Sequence, residues 1–556
     1  MSENGRTPYG SDAMLGAILR RIMPDLDSEA LYRALLAKDT RFDGRFFVGV
    51  ATTGIYCRPV CRARKPLAVN CSFYATAAEA EQAGFRPCLL CRPELAPGYA
   101  PVDSSASLAR AAARYIERNC GVQGSLTDIA RHLGCSNRHL RRVFEDAYHV
   151  RPVEYRQTCR LLLAKSLLTD TDLSVVDVAY SAGFGSLRRF NEVFRHRYRL
   201  TPTALRSQAR LSRTDGDAVQ LSLGYRPPYR WDLMLKFLAR RAIPGVEKAE
   251  EDRYARTIRL QSSGRDLTGW VTVDNDAEHN RLTVTVSASL LPALPVVLDG
   301  IKNLFDLHCE PDTVARALTS MDESALGPFI PGMRVPGCFD AFETAVLAVL
   351  GQQVTVQAAR TLAGRLVQAL GSPMDTGIDG LTTTFPMVQE LLNLDGAIEQ
   401  HLGPLGIITA RARAIHGLAA MMGSDTIDAS YCPDPEAAVA RFMEIPGIGA
   451  WTAGYIAMRC LAWPDAFLAT DLEVRKALRT PSPGKILTLA ERWKPWRAYA
   501  VMHLWNRAEA ESVSDHTTKS KKRNEKKEAM RYLSHYESPL GAMTMASDGE
   551  HLTGLW

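Results

Sequence analysis

Two groups of side chains in this sequence have the types and spacing to do chemistry. Cys57 and Cys61 form a C-x3-C pair, and Cys88 and Cys91 form a C-x2-C pair. Two thiolate pairs set well apart in the chain suit a single tetrahedral zinc ion. The surrounding TTGIYCRPVCRARKP supplies Arg58, Arg62, Arg64 and Lys65. Cations beside a thiol favour its thiolate form and attract phosphate. Spacing alone leaves open whether the zinc is structural or holds a reactive sulfur. On these features a structural ribbon with a solvated basic face is the plainer reading. Cys71 lies between the pairs with no pairing partner and reads as core. The second group centres on Asp471 in DAFLATDLEVRKAL, where a short loop turns into a helix. The plain role for such an aspartate is to cap the helix. Its place downstream of Pro446-Gly447-Ile448-Gly449 argues for more than a cap.

The elements that position these groups follow from composition and periodicity. The chain has 556 residues, enough for three or four domains. A hydrophobic fraction of 46% supports sizeable cores, and the net charge of +6 permits nucleic-acid binding without arguing for it. No run approaches the ~20 apolar residues of a membrane span, and the N-terminal residues lack a signal-peptide layout. These features make a cytoplasmic protein without membrane partners the expectation, with the twelve cysteines kept reduced.

The expected fold is multidomain and mainly α. Residues 1–39 read as a leader and a short helix, Ser28–Lys38. Residues 40–94 read as a small zinc-binding α+β domain, followed by a linker from Pro93 to Ser107. Residues 104–206 are purely helical in pattern, and 207–217 form a second linker. Residues 218–290 contain VQLSLGY, TIRLQS, GWVTV and RLTVTVSA, the strands of an antiparallel sheet. Helices return over 291–511. Residues 512–530 are a basic linker, and 531–556 suggest one β-hairpin.

Two segments carry helix-turn-helix patterns. In the first, Leu126–Leu133 leads through Gly134 to a helix capped by Ser136 and bearing Asn137, Arg138, His139, Arg141 and Arg142. In the second, Val175–Ala182 leads to a helix starting near Ser186 with Arg188, Arg189, Asn191 and Arg195. A solvated helix face is the plain alternative for any one of these arginines. Further on, PEAAVARFMEIPGIGAWTAGYIAMRC reads as a helix-hairpin-helix. There Gly447 and Gly449 let backbone amides approach a phosphate.

Four resemblances sharpen these readings. FDGRFFVGVATTGIYCRPVCRARKPLAVNCSFYATAAEAEQAGFRPCLLCRPE resembles the methyl-accepting domain of the Ada adaptive-response family. That likeness implies that Cys57 irreversibly accepts a methyl group from a DNA methylphosphotriester, that Cys57, Cys61, Cys88 and Cys91 hold one zinc ion, and that Thr53 and Arg64 face DNA. Methylation would lower the negative charge of the cage and switch the protein to tighter promoter binding. The paired helix-turn-helix units resemble AraC-type regulators, implying double-stranded promoter DNA and RNA polymerase as partners. Residues 219–510 resemble the AlkA 3-methyladenine glycosylases. By that likeness Asp471 is the catalytic carboxylate, and Trp451, Tyr455 and Trp505 line a pocket for the flipped base. Gly447, Gly449 and Gln353 would contact DNA, and no cofactor is needed. Trp493 and Trp496 read as packing. Trp451 stands where lyase members carry lysine, implying a monofunctional enzyme that excises bases such as 3-methyladenine and 7-methylguanine. Gln353 replaces the family's apolar probe of the duplex, and Asn506 replaces a tyrosine. The last 26 residues resemble the opening hairpin of an O6-alkylguanine-DNA methyltransferase but lack its Pro-Cys-His-Arg element. The competing readings are a non-enzymatic regulator with structural zinc and a degenerate glycosylase fold, and a DNA clamp that releases no base.

Overall fold

The computed structural model describes residues 28–97, 107–121, 125–208, 218–509 and 532–555, with short breaks inside the last two spans. The leader before residue 28 and the linkers at 209–217 and 512–530 lie outside the described residues.

The first module is a helix, Ser28–Ala37, against a four-stranded sheet. The strands are β1 (Phe47–Val50), β2 (Ile55–Cys57), β3 (Cys71–Tyr74) and β4 (Arg86–Pro87), in the order β3-β1-β2-β4. Alternate residues of a strand point to opposite faces. Val48 therefore joins Leu31, Leu35, Phe46 and Phe73 on one side, while Phe47 joins Tyr56, Tyr74 and Phe85 on the other. β2 and β4 run parallel with Tyr56 opposite Pro87, and this register brings Cys57 and Cys88 to the same edge.

The helical part contains the same capped unit twice. Ser125 and Ser174 cap Leu126–His132 and Val175–Ser181; Ser136 and Ser186 cap Asn137–Tyr148 and Leu187–Tyr198. Each serine hydroxyl accepts an amide from the third residue of its helix, which satisfies one otherwise orphaned donor. Gly134 and Gly183 turn the chain between the helices of each pair at φ +65° and +83°, a region open to glycine. The helix Pro152–Asp170 joins the two units.

A five-stranded antiparallel sheet follows: β5 (Ala218–Gly224), β6 (Glu247–Glu250), β7 (Arg253–Ser262), β8 (Arg265–Asp276) and β9 (Arg281–Ser287). Their order is β5-β9-β8-β7-β6. The β-rich segment also contains a helix, Trp231–Arg241, which packs on the sheet with Trp231, Met234, Leu235, Phe237 and Leu238 buried. Helices then predominate as far as residue 509. One buried apolar cluster runs from Leu161, Leu168 and Phe190 through Val219 and Val284 to Ile456 and Leu504. The second helix-turn-helix unit thus shares its core with the sheet and the helices beyond it.

Two expectations need correction. The segment Pro93–Ser107 is not a free linker along its length. Pro93–Leu95 forms a 3-10 turn, and the Glu94 carboxylate is buried against the Lys165 ammonium at 2.6 Å. A buried charge is retained only where it is paired, which pins this stretch to the helix Pro152–Asp170. The C-terminal tail is a three-stranded meander rather than one hairpin: β10 (Tyr532–Ser538), β11 (Gly541–Ser547) and β12 (Leu552–Leu555). The third strand is only four residues long, too short for its alternation to be read.

Buried polar groups fasten the modules together. Glu81 of the first module accepts hydrogen bonds from Tyr56 (3.1 Å), Thr158 (3.2 Å) and Arg197 (3.1 Å). Arg226, 1% exposed, donates to the carbonyls of Asp43 (3.0 Å) and Pro97 (3.3 Å). Gly224 approaches so closely that a Cβ there would lie 2.0 Å from the Leu95 carbonyl oxygen.

Candidate functional sites

At the edge of the first sheet the sulfurs of Cys57, Cys61, Cys88 and Cys91 all lie within 4.8 Å of one another. Cys57 ends β2, and Cys88 follows β4, donating its backbone N–H to the Tyr56 carbonyl at 3.0 Å. Four soft donors in this cluster are the ligand set of one tetrahedral zinc ion. The crowded thiols themselves divide their protons unevenly. Hydrogen bonding with Cys61 pushes Cys57 up, and the contact with Cys57 pushes Cys91 up. The same contact brings Cys61 down to about 7 and lowers Cys88. Four sulfurs this close cannot all be anionic without a cation among them, so the residues fit the ion.

The four sulfurs are not equivalent. Cys61 and Cys88 are buried, while Cys57 and Cys91 are partly exposed. Cys91 Sγ accepts the Arg58 backbone N–H at 3.3 Å. Among the described residues, no backbone N–H reaches Cys57 Sγ. A hydrogen bond to a thiolate disperses its charge, so Cys57 is the reachable sulfur with the least-blunted lone pairs. Arg58 is locked in place, its Nε 2.7 Å from Asp43 and its Nη1 3.1 Å from the Cys91 carbonyl. Thr53, Arg62 and Arg64 are exposed around the site.

The second site is built around Asp471. This residue caps the helix Leu472–Ala477, and its Oδ1 accepts the amides of Glu473 and Val474, both at 2.9 Å. The capping role is therefore real, yet it occupies only part of the carboxylate. The Trp505 indole N–H donates to Oδ1 at 2.9 Å, and the Trp451 indole N–H donates to Oδ2 at 2.7 Å. The two tryptophans come from the helix Ala450–Arg459 and from the helix over 497–509. Trp451 stacks on Tyr455 with ring centroids 5.3 Å apart and planes 17° from parallel. Tyr455 and Trp505 lie 6.3 Å apart. Asp471, Trp451, Tyr455 and Trp505 thus form one cluster. Trp493 and Trp496 are buried in the core.

Three members of this cluster escaped the sequence reading. Phe237 lies nearly parallel to Trp505 at 6.3 Å and 15°. Arg241 stacks over Phe237, its guanidinium carbon 3.7 Å from the ring centroid. Arg459, buried, donates to the Tyr455 phenol oxygen at 2.7 Å. The spacing Phe237-x3-Arg241 puts both on one helix face, as does Tyr455-x3-Arg459. That i, i+4 repetition was the available signal.

The hairpin before Trp451 has Gly447 at φ +93°, where an L side chain is strained. Gly449 lies at φ −96°, and space is open around it. Only Gly447 needs to be glycine for its backbone conformation. Gln352 donates to the Gly447 carbonyl at 2.9 Å and to the Thr452 hydroxyl at 3.0 Å, tying the hairpin to the neighbouring turn. Gln353 is exposed at the tip of that turn with φ +53°. In the helical units Arg138, His139, Arg141, Arg142, Arg188 and Arg189 are exposed. Ser186 is spent on its cap, Asn137 donates to Thr127 at 3.0 Å, and Asn191 is partly buried. No described helix is long and apolar enough to cross a membrane.

Three family models match parts of the chain. Residues 30–94 match the family described as the metal binding domain of Ada, residues 129–208 a helix-turn-helix domain, and residues 220–340 the AlkA N-terminal domain. A Mycobacterium tuberculosis protein named probable bifunctional transcriptional activator/DNA repair enzyme AlkA is 36% identical over 492 residues, covering 87% of this chain and 97% of that protein. The Escherichia coli DNA-3-methyladenine glycosylase 2 is 38% identical over 284 residues, 51% of this chain and 96% of that enzyme. The Escherichia coli bifunctional transcriptional activator/DNA repair enzyme Ada is 36% identical over 159 residues, 29% of this chain and 43% of that protein.

Proposed function

Because the chain belongs to the AlkA family of bifunctional transcriptional activators and DNA repair enzymes, we propose that it excises alkylated bases from DNA and accepts a methyl group at Cys57 as the trigger for transcription activation. The observation that carries the first part is a lone carboxylate, Asp471, held by two indole N–H groups at the edge of an aromatic cluster.

Excision begins when the damaged nucleotide leaves the stack and its base enters among Trp451, Tyr455, Trp505 and Phe237. Alkylation at purine N3 or N7 leaves the ring cationic, and electron-rich rings attract it. The bond from C1′ to the purine nitrogen breaks, and its electron pair moves onto the base, which leaves neutral. Positive charge develops on the sugar, where the Asp471 carboxylate stabilises it. A water oxygen bonds to C1′ and gives its proton to Asp471. With Trp451 where a lyase would need an amine, the product is an intact abasic site.

In the first module, the Cys57 sulfur attacks the methyl carbon of a methylphosphotriester. A sulfur–carbon bond forms, the carbon–oxygen bond breaks, and the electron pair leaves on the phosphodiester oxygen. A bound zinc ion supplies the positive charge that keeps Cys57 a thiolate at neutral pH. Cys57, Cys61, Cys88 and Cys91 would hold the ion, while Thr53, Arg62 and Arg64 face the DNA backbone. Transfer is irreversible and lowers the negative charge of the cage, which reduces repulsion from phosphates. The exposed arginines of the two recognition helices then hold promoter DNA in successive major grooves, with RNA polymerase as the activator's partner.

The test uses the full chain with two duplexes, one carrying a methylphosphotriester and one carrying 7-methylguanine. Intact-mass analysis is expected to show one added methyl mapping to Cys57, and chromatography to show free base. A methyl on another cysteine, or DNA binding without base release, overturns the corresponding half.

A further inference from the structure

We propose that Arg241 and Arg459 are positioning residues for base excision, setting a field that drives positive charge from the bound base toward the sugar. This rests on the excision reading above.

The side chains are layered. On one side lies the Asp471 carboxylate, bonded to the indole nitrogens of Trp451 and Trp505. Next come the rings that stack on those indoles, Tyr455 on Trp451 and Phe237 beside Trp505. Behind these rings lie the two guanidiniums. Arg241 is 3.7 Å from the Phe237 centroid, and Arg459 is 5.1 Å from Phe237 and 5.5 Å from Tyr455. Arg459 is anchored by the carbonyls of Pro336 (2.6 Å) and Gly337 (2.7 Å) and by the Tyr455 phenol. Arg241 donates to the Phe237 carbonyl at 3.3 Å. Among the described residues neither arginine has a carboxylate within ion-pair distance.

One buried and one half-buried cation without counter-ions are costly, and a structural role alone does not call for both behind one pair of rings. Their position matches the chemistry. Breaking the glycosidic bond moves an electron pair from C1′ onto the base and leaves positive charge on the sugar. A base held among the rings has cations behind it and the carboxylate ahead, at the sugar. The fixed charges oppose a cationic base in the bound state and favour the state in which its charge has moved to C1′. A neutral modified purine, gaining negative charge as it leaves, is helped by the same field without the initial repulsion. Interactions stronger in the transition state than in the bound substrate raise kcat.

The experiment measures kcat and KM of the full chain on duplexes carrying 7-methylguanine (cationic) or hypoxanthine (neutral). In Arg459→Met, kcat on 7-methylguanine is expected to fall about tenfold while KM also falls, the sign of relieved ground-state repulsion. On hypoxanthine, kcat falls and KM stays. Arg459→Lys, which keeps the charge, recovers most of kcat. If Arg459→Met does not fold, Arg241→Met is read by the same split. A KM that rises as kcat falls, or a lysine variant as poor as methionine, marks a packing role and overturns the proposal. A wild-type chain that releases neither base refutes the excision reading instead.

Discussion

Replacing Trp451 with phenylalanine keeps the ring that stacks on Tyr455 and removes one N–H. The structure makes that N–H unequal to its counterpart on Trp505. Asp471 Oδ1 has three donors, the Glu473 and Val474 amides and the Trp505 indole; Oδ2 has the Trp451 indole at 2.7 Å. A hydrogen bond to a charged group contributes about 1.5–3 kcal/mol. Losing the Oδ2 donor frees the carboxylate to pivot about its capped oxygen, so most of that energy is taken from the transition state. At about 1.4 kcal/mol per factor of ten, kcat in Trp451→Phe falls about 10- to 100-fold. In Trp505→Phe, Oδ1 keeps two backbone amides and the phenyl ring still lies beside Phe237. The loss there is about 0.5–1 kcal/mol, a two- to fivefold effect. Single-turnover release of 7-methylguanine from a defined duplex measures both. Equal losses, or a larger loss in Trp505→Phe, refute the claim that Oδ2 is the working oxygen.

Cys57→Ser is expected to abolish methyl uptake by intact mass, while Cys71→Ser, outside the four-sulfur cluster, takes up one methyl like the wild type. The protein is expected to carry one zinc per chain by elemental analysis. Chelation should raise hydrogen exchange over residues 28–97, because four thiols within 4.8 Å lose the cation that reconciles their charges. Burial holds the Glu81 carboxyl up at about 7 from an ordinary 4.5, despite Arg197 beside it. The folded chain therefore keeps a proton that the unfolded chain has released between those values. Glu81 stabilises fully below pH 4.5, and that contribution is lost as pH rises through about 7. Thermal midpoints followed across this range should slope downward more in the wild type than in Glu81→Gln; equal slopes contradict the assignment.

Much of the architecture was legible because local signals agreed with one another. Paired cysteine spacings survived folding as a cluster, since parallel pairing of β2 and β4 sets Cys57 and Cys88 at one edge and the short turns that follow carry Cys61 and Cys91 back to them. Periodicity, the Gly134 turn and the Ser136 cap placed the starts of the four recognition-unit helices to within a residue. Trp451 and Trp505 lie 20 and 34 residues from Asp471 in sequence, and resemblance, not periodicity, joined them. Phe237, Arg241 and Arg459 were missed for a physical reason. A phenylalanine on an amphipathic helix reads as core and an arginine as solvated surface, and the i, i+4 spacing that pairs each arginine with an aromatic does not by itself tell a solvated guanidinium from one turned onto the ring. The Pro93–Leu95 turn was misread because proline and glycine mark irregular backbone whether it is free or pinned. What pins it is a buried ion pair with a residue 71 positions away.

The claim on which the rest depends is that Asp471 is the group that acts on the sugar, and base release from alkylated duplex by the wild type and by Asp471→Asn tests it most directly. Asparagine keeps the side-chain oxygen for the helix cap and removes the negative charge. The account predicts free 3-methyladenine and 7-methylguanine from the wild type, and a folded, DNA-binding variant that releases neither. Base release by Asp471→Asn at the wild-type rate contradicts it.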